Sequence, residues 1–163
     1  MNIRIATHND VDQVAALIAQ FRQEHKLIKG IKSTLNIDQA KIEFYEYLES
    51  DFPIYLATDD EEKALGYIVC RVDATVVWVE SIYIIEAERR NGIALTLYKK
   101  AEEIVSELGG DTLYNWVLPN NHKIINFLSK QGYDVLNMIE IRKQHKDEKL
   151  VNEINVGEHY YLY

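Results

Sequence analysis

One stretch of the sequence, running from Val76 to Leu95, decides the fold: VVWVESIYIIEAERRNGIAL. Its first half is almost wholly apolar and rich in β-branched residues, which predicts a buried β-strand. A short polar turn with one glycine, Gly92, follows, and apolar side chains then recur at helical spacing. A strand, a glycine-bearing turn and a helix in succession favour phosphate binding, because the free N–H groups and the dipole of a helix N-terminus attract negative charge.

The spacing within this turn separates it from two common phosphate-binding loops. A P-loop requires Gly-x-x-x-x-Gly-Lys-Ser/Thr and a dinucleotide-binding fold requires Gly-x-Gly-x-x-Gly, and neither pattern occurs here. The turn instead carries Arg89-x-x-Gly92-x-Ala94. The small residues Gly92 and Ala94 would let a diphosphate approach the main chain closely.

The segments on both sides predict further strands and helices. Upstream they are a strand at Ile3–Ala6, a helix from Val11 through Phe21, a helix over 38–49 with Ile42, Tyr45 and Leu48 on one side, and a hairpin of strands Ile54–Thr58 and Leu65–Val72. Downstream they are a strand at Thr112–Leu118, a helix capped by Asn120-Asn121, a strand that starts at Tyr133 and a last strand at Val156–Tyr163.

This layout resembles the GNAT superfamily of N-acetyltransferases. Arg89, Gly92 and Ala94 match its Gln/Arg-x-x-Gly-x-Gly/Ala signature, and Asn121, Gly132 and Tyr133 match its later motif Asn-x-x-Ala-x-x-x-Tyr-x-x-x-Gly-Phe/Tyr. The resemblance implies an α/β (α+β) acyl-CoA N-acyltransferase fold, with a mixed, mainly antiparallel, splayed sheet and helices on both faces. It also implies one domain over residues 1–163.

The resemblance further implies acetyl-CoA as the co-substrate, without a metal. The implied cofactor-binding positions are Ile82, Tyr83, Ile84, Arg89, Arg90, Asn91, Gly92, Ile93, Ala94, Leu95 and Asn121. The N–H of Ile84 would face the thioester oxygen, where a fixed donor stabilises the developing negative charge. Alternative roles stay open: the isoleucines as core residues, the arginines as solvated surface, and Asn121 as a helix cap.

Glu80 is the candidate general base. It interrupts an apolar strand, and period-two counting places it on the same face as Trp78, Ile82 and Ile84. An acceptor amine must lose a proton before it attacks, and a poorly solvated carboxylate can take that proton. Polyamine acetyltransferases of the resembled family carry a glutamate at the matching place. The alternatives are an exposed position or a structural pair with Arg71.

Leu128 departs from the resembled family, in which many members have a tyrosine that protonates the leaving thiolate. Leucine cannot do so, and general-acid help is worth roughly 10²–10⁴ in rate. The thiolate could leave unaided, or another tyrosine could serve. The tyrosines near enough in sequence or layout are Tyr83, Tyr98, Tyr114 and Tyr133.

Composition narrows the function classes. A net charge of −8 disfavours nucleic acid, whose phosphates need a basic surface, and no apolar run is long enough to span a membrane. The single Cys70 and the scattered histidines predict a cytoplasmic protein without a metal site.

The sequence therefore predicts transfer of an acetyl group to a primary amine by direct attack in a ternary complex. The acceptor is expected to be a polyamine or another small amine. The alternatives are a protein N-terminal or lysine acetyltransferase, and an acyl-CoA-binding module with impaired catalysis. Because many members of the resembled family pair, a homodimer is a further expectation.

Overall fold

The computed structural model describes all residues from Met1 to Tyr163. The chain divides into two compact units, Met1–Trp116 and Val117–Tyr163, which are described separately. None of the helices combines the length and the apolar character that crossing a bilayer would require.

The first unit contains five strands and three helices. The strands are β1 (Asn2–Ile5), β2 (Ile54–Thr58), β3 (Ala64–Asp73), β4 (Val76–Ile84) and β5 (Leu113–Asn115). The helices are α1 (Val11–Ile28), α2 (Ile37–Glu49) and α3 (Ile93–Glu107). Every element predicted for this region is present, although β5 is three residues long where a seven-residue strand was predicted.

The strands form one sheet in the order β1-β2-β3-β4-β5. Neighbours are antiparallel except β4 and β5, which run parallel. The predicted mixed, mainly antiparallel sheet is thus confirmed.

Helices cover both faces of the sheet, as predicted. Side chains of α1 and α2 pack in one buried cluster with Tyr67, Val69 and Tyr83 of the sheet. On the opposite face α3 packs against β2, β3 and β4. Burial raises the pKa of Tyr55, and charges of α3 also act on its hydroxyl, which places that tyrosine on the α3 face.

One predicted helix face was wrong. Ile42 and Tyr45 of α2 are exposed, and the side that packs inward carries Ala40, Phe44 and Tyr47. Tyr47 is amphipathic, so burying its ring while its hydroxyl meets polar partners decides the orientation of the helix.

An ion pair fixes the start of α1. Arg4 of β1 donates to both oxygens of Asp10, at 2.9 and 2.6 Å, and the N–H of Thr7 donates to the same carboxylate at 2.8 Å. Asp10 is buried, and the Arg4 guanidinium holds the pKa of its carboxyl at about 2. The first strand and the first helix are therefore joined by a charge-assisted contact.

The second unit consists of helix α4 (His122–Lys130) and an antiparallel hairpin of β6 (Glu153–Val156) and β7 (His159–Leu162). The predicted helix is confirmed, but no strand starts at Tyr133. The single last strand predicted at Val156–Tyr163 is instead the end of β6, the hairpin turn and β7.

Candidate active site

The sheet opens between β4 and β5. These strands pair only through Val77–Val79 and Leu113–Asn115, so the rest of β4, from Glu80 to Ile84, has no partner on that side. This is the predicted splay. The N–H of Ile85 donates to Leu65 of β3 at 3.0 Å. Because successive N–H groups of a strand point in opposite directions, the N–H of Ile84 faces the open edge.

The edge of β4 depends on a glycine in β3. A Cβ added at Gly66 would lie 2.7 Å from the carbonyl oxygen of Tyr83 and 3.2 Å from the Cα of Ile84. Only glycine permits this approach without moving the end of β4. Gly66 therefore sets the position of the Ile84 N–H, a role that sequence reasoning missed.

The turn after β4 presents unpaired N–H groups. Arg90 and Gly92 both have positive φ angles, 69° and 82°, and α3 begins at Ile93. Gly92 is the N-cap and supplies no side-chain acceptor, so the N–H groups of the first turn, Ile93, Ala94 and Leu95, are free to bind an anion. Nothing lies within 4 Å of the position that a Cβ of Gly92 would take. These residues fit the diphosphate of a coenzyme.

The two arginines of the turn differ in their contacts. Arg89 donates to the carboxylate of Glu24 at 2.6 Å and to the carbonyl oxygen of Ile84 at 2.9 Å, and its guanidinium lies 5.2 Å from the ring centroid of Tyr83. Arg90 is exposed and makes no ion pair. The charge free to meet a phosphate in this structure is therefore that of Arg90.

Glu24 was not singled out from the sequence. It lies in the last turns of α1, where it accepts from Arg89 and from the Tyr83 hydroxyl at 3.3 Å. No local motif identifies such a residue, because its partner is 65 positions away in the chain. The nearest signal is a carboxylate at the end of a helix, where the helix dipole disfavours negative charge.

Glu80 is the extra residue of a β-bulge. Val69 of β3 lies opposite Ser81, and Cys70 lies opposite Val79, which leaves Glu80 without a partner in the register. Trp78 pairs with Arg71 and Ile82 with Ile68, so these two residues of β4 lie on opposite faces. The prediction that Glu80 shares one face with both was therefore wrong, because period-two counting assumes an unbroken strand.

The carboxylate of Glu80 is half-buried and makes no hydrogen bond or ion pair. The alternative of a structural pair with Arg71 is thus excluded. The charge of Glu80 raises the pKa of the Tyr47 hydroxyl, after larger contributions from burial and Glu43. The charge of Glu80 therefore acts on the face of the sheet that α1 and α2 cover.

Several hydroxyl groups lie on the same face of the sheet, on which the charge of Glu80 acts. Tyr47 donates to Glu43, which also accepts from Arg22 at 2.6 Å. The hydroxyls of Tyr67 and Ser81 are buried without a hydrogen-bond partner. Burial raises the pKa of Tyr67, and the nearby Ser81 hydroxyl opposes that rise. Two unpartnered buried hydroxyls are costly unless water or a ligand meets them.

Three of the four tyrosines considered in place of a tyrosine at position 128 have other partners. The Tyr83 hydroxyl contacts Glu24 at 3.3 Å, and the Tyr98 hydroxyl donates to Asn115 at 2.7 Å. Tyr114 packs against Trp78. No tyrosine is thereby identified as the acid.

The second unit carries the remaining predicted residue. Asn121 is the N-cap of α4, where its side-chain oxygen accepts from the N–H of Ile124 at 3.4 Å. Leu128 is a buried residue of the same helix. The cap accounts for the presence of an asparagine, and its contact with the cofactor stays a prediction.

The fold and the turn together define the class of protein, and comparison with known families agrees. The model of the acetyltransferase (GNAT) family matches residues 16–133, more than half of the chain. The chain belongs to this family. It is an acetyl-CoA-dependent N-acetyltransferase. No curated protein sequence matches it.

Solved structures share the fold. The aminoglycoside N-acetyltransferase AAC(6')-Iy, solved with the bisubstrate analogue CoA-S-monomethyl-acetylneamine, has 17% identity and a TM-score of 0.70, covering 89% of this chain and 98% of that one. AAC(6')-Ig from Acinetobacter haemolyticus has 18% identity and a TM-score of 0.65, covering 90% and 99%. A GNAT acetyltransferase from Staphylococcus aureus has 22% identity and a TM-score of 0.64, covering 80% and 82%.

Proposed function

We propose that the protein acetylates a primary amine by direct attack within a ternary complex, with Glu80 as the base. The observation that carries this proposal is the free, half-buried carboxylate of Glu80 at a bulge beside an unpaired strand edge. Fully buried carboxylates are normally paired, and even a half-buried one loses solvation, yet Glu80 has no partner. A carboxylate left free beside the open edge is available to accept a proton.

The proposed reaction requires few catalytic groups from the protein. The amine nitrogen bonds to the acetyl carbonyl carbon, the carbon–sulfur bond breaks, and coenzyme A leaves as its thiolate. The amine proton passes to Glu80, directly or through one water. The N–H of Ile84, held by the pairing of Ile85 with Leu65, donates to the carbonyl oxygen as negative charge develops there.

In this proposal Arg89 and Arg90 have different roles at the turn. Arg90, whose charge is free, would meet a phosphate along with the N–H groups of Ile93, Ala94 and Leu95. Arg89 would hold the turn against α1 and β4 through Glu24 and the carbonyl of Ile84. Ile82, Tyr83 and Ile84 would pair with the pantetheine arm through their open edge, while Asn91 and Gly92 would add the other predicted cofactor contacts of the first unit.

A small amine is the proposed acceptor, and the acidic balance of the chain, −8, favours a cationic one. The aminoglycoside N-acetyltransferases of similar fold act on amines as their names state, which supports this substrate class. A second candidate is an acyl-CoA-binding module, favoured by leucine at position 128.

Release of free thiol from acetyl-CoA tests the proposal against a panel of polyamines, amino acids and basic peptides. Amine-dependent release is expected with small amines, and selective release with peptides would point to protein acetylation. A rise in melting temperature on adding acetyl-CoA, with no release from any amine, would overturn catalysis in favour of the binding module.

A further inference from the structure

An aromatic surface lies next to Glu80 on the face of the sheet that α1 and α2 share. Trp78 and Trp116 stack with ring centroids 5.8 Å apart and an interplanar angle of 14°, and Tyr114 packs against Trp78 at 5.9 Å. These residues, Trp78, Tyr114 and Trp116, are the aromatic shelf. Trp116 keeps 54% of its surface exposed. Because the exposed indole continues the rings of Trp78 and Tyr114, the shelf is a contiguous aromatic patch, and such patches mark binding sites.

The register places the shelf beside the proposed base. Val79 pairs with Asn115, and Glu80 and Trp116 are the residues that follow each partner where the strands part. The shelf therefore borders the opening of the sheet, close to the place where an amine would reach Glu80. This inference rests on the function proposed above.

A free cation borders the other side of the shelf. Arg71 pairs in register with Trp78, and its guanidinium lies 5.7 Å from the ring centroid of Trp116. Arg71 is exposed and makes no ion pair. It lies two residues along the strand from the level of Glu80, roughly 7 Å at an ordinary strand rise. The carboxylate of Glu80, the aromatic face of Trp116 and the guanidinium of Arg71 thus lie within the reach of one small molecule.

We propose that the acceptor is an aromatic amino acid. Its amine would lie at Glu80, its ring on Trp116, and its carboxylate at Arg71. A polyamine fits less well, because it has no ring for the shelf and would bring a second positive charge toward Arg71. An arylalkylamine would satisfy Glu80 and the shelf but leave Arg71 unused.

The two tryptophans of the chain are both in the shelf, so intrinsic fluorescence reports on it directly. Phenylalanine, phenethylamine, alanine and putrescine are titrated with indole excitation at wavelengths where none of them absorbs. Phenylalanine is expected to change the emission at lower concentration than the other three. In the thiol-release assay its kcat/KM should exceed that of alanine by about three- to tenfold, the worth of one aromatic contact.

Two variants separate the contacts. Arg71→Met should lower kcat/KM for phenylalanine about ten- to hundredfold, the worth of a charged hydrogen bond, and leave phenethylamine unchanged. Trp116→Ala should remove the advantage of phenylalanine over alanine, and Trp116→Phe should restore most of it. Lys63→Met, which removes a positive charge at the distant β2–β3 turn, is the matched control, and melting temperatures confirm that each variant is folded.

Several results would overturn this inference. Turnover of putrescine at or above that of phenylalanine would do so while leaving the acetyltransferase function intact. If the emission does not respond to any of the four ligands but changes with protein concentration, the shelf is an interface between copies of the chain. A fluorescence response to phenylalanine without turnover of any amine would instead support the shelf and refute the proposed function.

Discussion

The carboxylate of Glu24 and the guanidinium of Arg89 meet at 2.6 Å, joining the end of α1 to the turn before α3. Arg89 also holds the carbonyl oxygen of Ile84, the last residue of β4. The side chain of Arg89 thus links α1 and the end of β4 to the turn that precedes α3. The arginine of the family signature therefore makes structural contacts in this chain.

Replacing Glu24 by glutamine tests that role. The variant keeps a hydrogen-bond acceptor but loses the charge, so the turn should loosen and the Kd for acetyl-CoA should rise about three- to tenfold, or roughly 1 kcal/mol. Isothermal titration measures it. Glu103→Gln, which breaks the exposed pair with Lys100, is the control and should leave the affinity unchanged. Tighter binding in Glu24→Gln would mean that freed Arg89 is itself a phosphate ligand.

Gly66→Ala tests the link between β3 and the N–H of Ile84. The new Cβ would be forced against the carbonyl of Tyr83, so β4 must shift or unpair. We expect a loss of about 1–3 kcal/mol in the free energy of unfolding, as for overpacking, and a fall in kcat larger than the rise in KM for acetyl-CoA. Denaturant unfolding and steady-state kinetics measure these. Asp73→Ala, on the same strand, should change neither, and an unaltered Gly66→Ala would refute the link.

Two tyrosine variants distinguish a partnered hydroxyl from an unpartnered one. Tyr47→Phe removes a hydroxyl bonded to Glu43 and should cost about 1–2 kcal/mol of unfolding free energy. Tyr67→Phe removes a buried hydroxyl without a partner and should be neutral or stabilising. Thermal unfolding compares the two. A Tyr67→Phe variant as unstable as Tyr47→Phe would show that an ordered water satisfies the hydroxyl.

The Arg4–Asp10 pair makes stability depend on pH. Arg4 lowers the pKa of Asp10 from 3.8 to about 2, so the folded state holds this proton less readily than the unfolded state. The resulting stabilisation, about 2 kcal/mol, is complete above about pH 4 and is lost as the pH falls toward 2. Asp10→Asn should remove it throughout. Denaturant unfolding at several pH values should therefore show the two proteins converging in acid, whereas a constant difference would contradict the assignment.

The first unit could be predicted from sequence because its signals are local. The hydrophobic run of β4, the glycine of the turn and the helical spacing of α3 each determine their own element. The bulge at Glu80 arises from the register of β4 against β3, and no sequence pattern within Val76–Ile84 predicts it. The face of Glu80 was therefore mispredicted, and its role as the base stays a prediction.

Contacts between distant residues were beyond local reasoning. Glu24 and Gly66 act through partners that the fold brings near, and their own neighbours in sequence are unremarkable in composition. Residues after Gly132 show the converse problem. A strand was predicted at Tyr133 because this residue follows the end of a helix. A strand forms only where another strand pairs with it, and in the second unit only β6 and β7 pair.

In the proposed mechanism Glu80 takes the proton of the acceptor amine, and the pH dependence of kcat/KM for Glu80→Gln is the sharpest test of that step. Glutamine preserves the shape but cannot accept a proton. We expect kcat/KM to fall roughly 10²–10⁴-fold near neutral pH and to recover in part at high pH, where the amine is already deprotonated, while the Kd for acetyl-CoA stays unchanged. A variant that keeps wild-type kcat/KM and its wild-type pH profile would contradict it.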